Sequence, residues 1–308
     1  MSSDTSAGAP ETQKPSPASG SDIEISAKRR WPLIAGVIVV VAALAGVLGW
    51  RFLGSDETSP NETPGATLTV VTAEGNAAEQ ALVEFVSKEV APKYGIKVAF
   101  KGLSDSTTLN RAVSDGEVAG TIYQHKLWLS QVLEANPDFK EVAATPVFRW
   151  GFGIWSDKYA NPQDLPQNAK VSLYSDPANE AQGLWLLERA GLITLKPGID
   201  KWKATQKDIA ENPRNLQFVL LDFAAQSRSL PDLDAAVGYT EYYLAAGIPI
   251  AKQIYAPPAP DEFAGQLTIG TEWQDTENIK NLVAAFKDPA VQEFLATDPQ
   301  VKDILLPL

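Results

Sequence analysis

The chain has 308 residues, of which 44% are hydrophobic and 21% charged, a composition that suits one or two globular domains. Its 26 basic against 38 acidic side chains leave a net charge of −12, a field that repels phosphate backbones and excludes nucleic acid as a partner. Cys is absent and His occurs once, which removes disulfides, thiolate metal sites, Cys nucleophiles and the lipidated Cys of bacterial lipoproteins, and implies neither metal nor cofactor.

Residues 1–27 are rich in Ser, Pro, Ala, Gly and Thr, too polar to bury a core, and predict a disordered tail over 1–30. Lys28-Arg29-Arg30 then precedes Trp31 to Trp50, twenty residues without a charge, and Arg51 follows. Twenty helical residues span about 30 Å, the thickness of a bilayer's hydrocarbon core. The spacing predicts a transmembrane helix over 31–53 with its N-terminus in the cytoplasm, since the basic residues lie mainly before it. The alternative is a signal peptide cleaved near Ala43-Leu44-Ala45, and either reading exports the remainder. Residues 54–66 read as a polar linker, in which Asn61-Glu62-Thr63 forms a glycosylation sequon attributable to chance.

From Thr67 onward strands alternate with helices. Thr67 to Thr72 reads as a buried strand, followed by a helix with Ala78, Leu82, Phe85 and Val86 on one face. Ile96 to Phe100 predicts a strand, Thr107 to Ser114 a helix and Val118 to Tyr123 a strand. Lys170 to Tyr174, Asn179 to Arg189, Leu216 to Leu220, Phe223 to Ser229 and Ala235 to Val237 continue the order. Such alternation predicts parallel sheets flanked by helices, here α/β lobes with a ligand cleft at the carboxyl ends of the strands. Crossovers are placed near Phe148 to Phe152 and Tyr239 to Leu244, assigning 67–150 and 245–308 to one lobe and 151–244 to the other. No P-loop, dinucleotide fingerprint or nucleophile elbow is present, so an enzyme is not indicated. Aromatic residues gather near strand ends and crossovers, among them Tyr123, Trp128, Phe148, Trp150, Phe152, Tyr239 and Tyr242. They divide between core packing and the lining of an apolar pocket.

Several motifs carry a family resemblance. Tyr123-Gln124-His125, Ser104-Asp105 with Asn110, Gly153-Ile154-Trp155-Ser156, Asp176-Pro177-Ala178-Asn179-Glu180, Ala190-Gly191-Leu192-Ile193, Ala224-Ala225-Gln226 and Asp234-Ala235-Ala236-Val237 together resemble the NlpA family of methionine-binding lipoproteins, in order over about 67–300. The resemblance implies a two-lobed type II periplasmic-binding-protein fold and a receptor that hands a small-molecule ligand to the permease and ATPase of an ABC importer. It also implies a pocket with aromatic rings for a thioether, an Arg for a carboxylate and an Asn for an amino group. Two positions depart from that pattern. Gln182 stands where the family has Arg, and Glu241 where it has Asn. The implied ligand set is Asn76, Tyr123, His125, Phe148, Arg149, Phe152, Asn179, Gln182, Tyr239 and Glu241, with Arg149 the candidate replacement cation. The alternatives to a methionine-like ligand are a neutral or cationic one, or a scaffold that has lost binding.

Overall fold

The computed structural model describes residues 59–308. The tail, the transmembrane segment over 31–53 and the start of the linker lie outside the described residues. Among the described residues no helix is long and apolar enough to cross a membrane.

The first lobe begins with β1 (Thr67–Ala73), α1 (Ala77–Phe85), β2 (Lys97–Leu103), α2 (Ser106–Ser114), β3 (Gly120–His125), α3 (Lys126–Ala135) and β4 (Glu141–Trp150). Each helix start is written in the sequence. Asn76 Oδ1 accepts from Glu79 N, and Asp105 Oδ1 from Thr107 N and Thr108 N, at the ends of α1 and α2, satisfying amides that have no partner within the helix. The chain then enters the second lobe through β5 (Phe152–Trp155), β6 (Lys170–Tyr174), α4 (Pro177–Arg189), a two-stranded ribbon of β7 (Thr194–Leu195) and β8 (Ile209–Glu211), β9 (Gln217–Leu221), α5 (Phe223–Ser229), β10 (Ala235–Tyr239), α6 (Thr240–Ala245) and β11 (Gln253–Tyr255). It returns with β12 (Ala264–Gly270), α7 (Glu277–Phe286), α8 (Pro289–Thr297) and β13 (Leu305–Leu306).

Two sheets result, ordered β13-β4-β12-β3-β1-β2 and β11-β5-β10-β6-β9. They are mixed rather than parallel. β1 pairs in parallel with β2 and β3, and β6 with β9 and β10, as βαβ crossovers require. The strands that cross or return from a crossing run the other way: β12 is antiparallel to β3 and β4, and β5 to β10 and β11. A strand arriving from the other lobe needs no crossover helix, so nothing constrains it to run parallel.

Two sequence expectations change. Residues 245–255 stay with the second sheet, because β11 pairs with β5, and the return crossing falls at 256–263. Residues 59–66 are docked on the first lobe instead of forming a free linker. Ser59 Oγ donates to Gly116 O (2.9 Å), Asn61 Nδ2 to Val118 O (3.2 Å), and Asn278 Nδ2 to Pro60 O and Thr63 O. Asn61 is buried with its amide engaged, which accounts for the sequon without a glycan. The outward crossing is a single residue, Gly151, tied through its N–H to Ile304 O (2.7 Å) and through its carbonyl to Thr240 N (2.8 Å). A Cβ there would lie 2.6 Å from Thr240 Oγ1 and 2.9 Å from Asp303 O, so the close approach of three segments requires glycine.

Candidate functional site

Between the lobes lies a cavity of about 420 Å³, lined by the ends of β1, β3 and β4 on one side and by α4, α5, β10 and α6 on the other. This is the crevice at the carboxyl ends of the strands where open α/β sheets take ligands. Six aromatic rings line it: Tyr123, Trp128, Trp150, Phe223, Tyr239 and Tyr242. Five of them form a continuous wall, with centroids 6.0 Å apart for Trp150 and Tyr239, 6.2 Å for Tyr239 and Phe223, 5.6 Å for Phe223 and Tyr242, and 6.3 Å for Phe223 and Trp128, and Tyr123 joins it by accepting from Trp128 Nε1 (3.3 Å).

Six of the ten residues singled out from the sequence line the cavity: Asn76, Tyr123, His125, Asn179, Tyr239 and Glu241. Four do not. Phe148 and Phe152 are buried behind the wall, edge-on to Trp150 (4.8 Å) and Tyr239 (4.9 Å). Gln182 is buried beneath Tyr239, its Oε1 2.8 Å from the Tyr239 hydroxyl. Arg149 points elsewhere. Its guanidinium pairs with Asp261 (2.5 Å) and donates to Pro307 O (3.1 Å). The pleat decides this, because with Trp150 turned into the cleft its neighbour must face the opposite side of β4. Arg149 therefore supplies no charge to the pocket. No Lys or Arg lines the cavity.

Two polar clusters meet there. The first is closed. His125 Nδ1 accepts from Trp128 N (3.1 Å), which leaves the proton on Nε2, 3.3 Å from Asn179 Oδ1. Asn179 Nδ2 donates to both oxygens of Asp176, and Tyr239 shares its hydroxyl between Asn179 Oδ1 and Gln182 Oε1. Burial pushes His125 down to about 4, against the Asn179 hydrogen bond, so the ring is neutral.

The second cluster holds two acids. Glu79, in the first turn of α1, is 2% exposed. Its Oε1 accepts from Trp150 Nε1 (3.3 Å), while Oε2 makes no hydrogen bond of good geometry and the Thr72 hydroxyl lies near the carboxyl. Glu241, half-buried at the start of α6, accepts at Oε2 from Asn76 Nδ2 (2.8 Å), a bond that joins the two lobes across the cavity as His125–Asn179 also does. Burial, and then repulsion from Glu241, raises Glu79 well above the usual carboxylate range, and burial raises Glu241 to about 7. Glu79 escaped the sequence reading because a Glu on an amphipathic helix reads as a solvated side chain. The available signal was its spacing, since it sits three and seven residues before Leu82 and Val86 on the face that α1 buries.

Tyr123 completes the pocket. Its oxygen accepts from Asn110 Nδ2 (2.5 Å) and Trp128 Nε1 (3.3 Å), and its own proton has no acceptor among the described residues. Burial first of all pushes it up to about 12, so it is a neutral donor.

Two lobes joined by two crossings, with a ligand-sized aromatic cleft between them, define an extracytoplasmic, membrane-associated solute-binding protein of an ABC importer. The chain belongs to the NlpA lipoprotein family, whose pattern it matches over residues 68–306. It is 30% identical over 256 residues to the D-methionine-binding lipoprotein MetQ of Escherichia coli, covering 82% of this chain and 91% of that protein. A periplasmic substrate-binding protein of an ABC transporter from Coxiella burnetii superposes with a TM-score of 0.69 at 33% identity, over 78% of this chain and 100% of that one. A nutrient-binding protein from Burkholderia cenocepacia, solved bound to methionine, superposes at 0.66 with 32% identity, over 78% and 98%.

Proposed function

We propose that the protein is a type II receptor, without enzymatic activity, that closes on a small amino-acid-like ligand with an apolar body and delivers it to an ABC permease and its ATPase. The observation that carries this reading is the inter-lobe cavity, walled by six aromatic rings and spanned by the Asn76–Glu241 hydrogen bond. The rings offer apolar area and polarisable faces to a thioether or alkyl chain. The polar contacts fall to Asn76, Glu79, Tyr123 and Glu241, while His125, Asn179 and Tyr239 present a wall whose hydrogen bonds are already made. The two crossings support the type II assignment, with Gly151 and 256–263 as the hinge. Trp31 to Trp50, twenty residues without a charge, is long enough to serve as the anchor at the outer face of the membrane.

The test is a thermal-shift panel of methionine enantiomers, related amines and small neutral solutes, followed by small-angle scattering. A true ligand at 100 times its Kd adds about 2.7 kcal/mol, a rise of roughly 5 to 11 °C for a chain of this size, and reduces the radius of gyration. A panel without any stabilising solute would overturn the receptor reading in favour of a scaffold.

A further inference from the structure

From the acids that line the cavity we infer that the ligand is a small organic monocation with no carboxylate, its ammonium group held between Glu79 and Glu241 and its body stacked on the aromatic wall. The inference rests on the receptor reading and adds the class of ligand. Three independent features point to it.

The first is the orphan oxygen. Glu79 is 2% exposed, lines the cavity and leaves Oε2 without a hydrogen bond of good geometry, the nearby Thr72 hydroxyl notwithstanding. The empty protein limits the cost of this unpaired acid by keeping it protonated, and an ammonium ligand would supply the donor while that proton leaves to solvent. Its counterpart Glu241 comes from the other lobe and is held by a single amide, that of Asn76. A cation placed between them attracts both lobes at once, so closure and recognition become the same event.

The second is what is missing opposite. A ligand carboxylate needs a buried cation or a cluster of strong donors. No Lys or Arg lines the cavity, the only imidazole is neutral with its Nε2–H given to Asn179, and Arg149 is committed to Asp261. Gln182 leaves no charge at the position beneath Tyr239. The donors left free are neutral hydroxyls, those of Tyr123, Ser104 and Ser106, which suit a neutral acceptor such as a thioether, ether or amide oxygen. A carboxylate would be desolvated without compensation and placed in a cavity that already holds two acids, so it is rejected.

The third is the wall itself. Indole and phenol faces attract ammonium groups through their quadrupoles, most strongly when water is excluded. Six rings around two carboxylates make a cation cage, whereas for an anion the same faces repel.

The decisive comparison uses two probes that differ by one group. Methylthiopropylamine is methionine without its carboxylate. Isothermal titration at pH 7.5 with the wild-type chain should show the amine binding at least about 10-fold more tightly than either enantiomer of methionine, the scale of a lost charge-assisted contact. Glu79→Gln and Glu241→Gln should each weaken the amine by about 10-fold or more and narrow its advantage over methionine. Because the wild-type comparison stands alone, a variant that folds poorly does not rescue the idea. Methionine binding as tightly as the amine would overturn the inference while leaving the receptor reading intact. Failure of both probes overturns it as well, and the receptor reading falls with it only if the wider panel is also silent.

Discussion

The two polar clusters on the cavity share a boundary and obey opposite rules. Around Asn179 each cavity-facing polar group has found a protein partner: His125, Asp176, Tyr239 and Gln182 close a network within the protein. Around Glu79 and Glu241 two acids from different lobes face one another, with one oxygen lacking a hydrogen bond of good geometry and one amide between them. A network that satisfies itself stabilises the fold and fixes a surface, but it has little left to offer a ligand. A cluster whose acids are held together by burial and must take up protons to limit their repulsion weakens the empty protein and reserves its energy for binding. The comparison separates the part of the pocket that holds shape from the part that recognises.

The largest effect expected from this division is on the closed side. Asn179→Leu strips His125 Nε2, the Asp176 carboxylate and the Tyr239 hydroxyl of a shared partner in a buried setting. Each orphaned group costs about 1 to 3 kcal/mol, and Gln182 still serves Tyr239, so a loss of about 3 kcal/mol is expected. In a domain of this size that lowers Tm by roughly 6 to 12 °C. Differential scanning calorimetry of the ligand-free variant checks it, and a fall of under about 2 °C would show that the cluster is not the self-contained scaffold described.

How far the sequence disclosed this arrangement depends on the range of the interactions. Lys170–Tyr174 and Phe223–Ser229 emerge with the bounds read from the pattern, because a local run of apolar residues and an Asx cap at Asp222 suffice to define them. β4 and β12 were not visible. Pro146 interrupts the first and glycines end the second, and what holds them is antiparallel pairing between residues more than a hundred positions apart. The pocket divides in the same way. Tyr123, His125 and Asn179 follow strand ends in a recognisable pattern, so their place at the cleft was legible. The opposition of Glu79 to Glu241 was not, since it arises only when α1 and α6, from different lobes, are brought together. Arg149 shows the converse error, a charge assigned to the pocket on chain proximity although the two-residue period of a strand turns it away.

A smaller effect probes the open side through pH. A carboxylate raised in the fold is protonated there while the unfolded chain has released its proton, so the stability it contributes is present below its unfolded value and is lost as pH rises through the folded one. Glu241, raised to about 7, Glu79, raised well above the ordinary carboxylate value, Asp176, raised by burial, and Glu141, raised by burial to about 8, all act in this sense. His125 opposes them below about pH 6.5, because the unfolded ring takes up a proton that the folded ring refuses. The tyrosines that also face the acids, Tyr239 and Tyr242, are raised above their ordinary value and stay neutral throughout. Ligand-free stability should therefore fall from pH 5 to pH 8. Glu241→Gln should recover roughly 1 to 2 kcal/mol of that loss, read from urea midpoints at the two pH values. Equal pH dependence in the variant and the wild type would show that Glu241 is solvated and that the acidic cluster is not a store of repulsion.

The smallest expected effect is no effect, and it tests the closed side from within. His125 is the only His in the chain, so its ring resonances in an NMR spectrum need no assignment. If Nδ1 is held by Trp128 N and the Nε2 proton by Asn179 Oδ1, protonation must break the bond at Nδ1 and place a cation in a buried aromatic setting, edge-on to Phe263 at 5.2 Å. Both costs act in the same direction and account for a value near 4. Between pH 5.5 and 8 the ring shifts of the wild type should stay constant and report the Nε2–H tautomer. Asn179→Leu removes the partner that favours the charged form and should keep the ring neutral over that range as well, while moving its Nε2 shift because the hydrogen bond is gone. A ring that titrates near 6.5 in the folded wild type would mean that water reaches Nδ1, and the distinction between a sealed and an open cluster would then fail at its better-defined end.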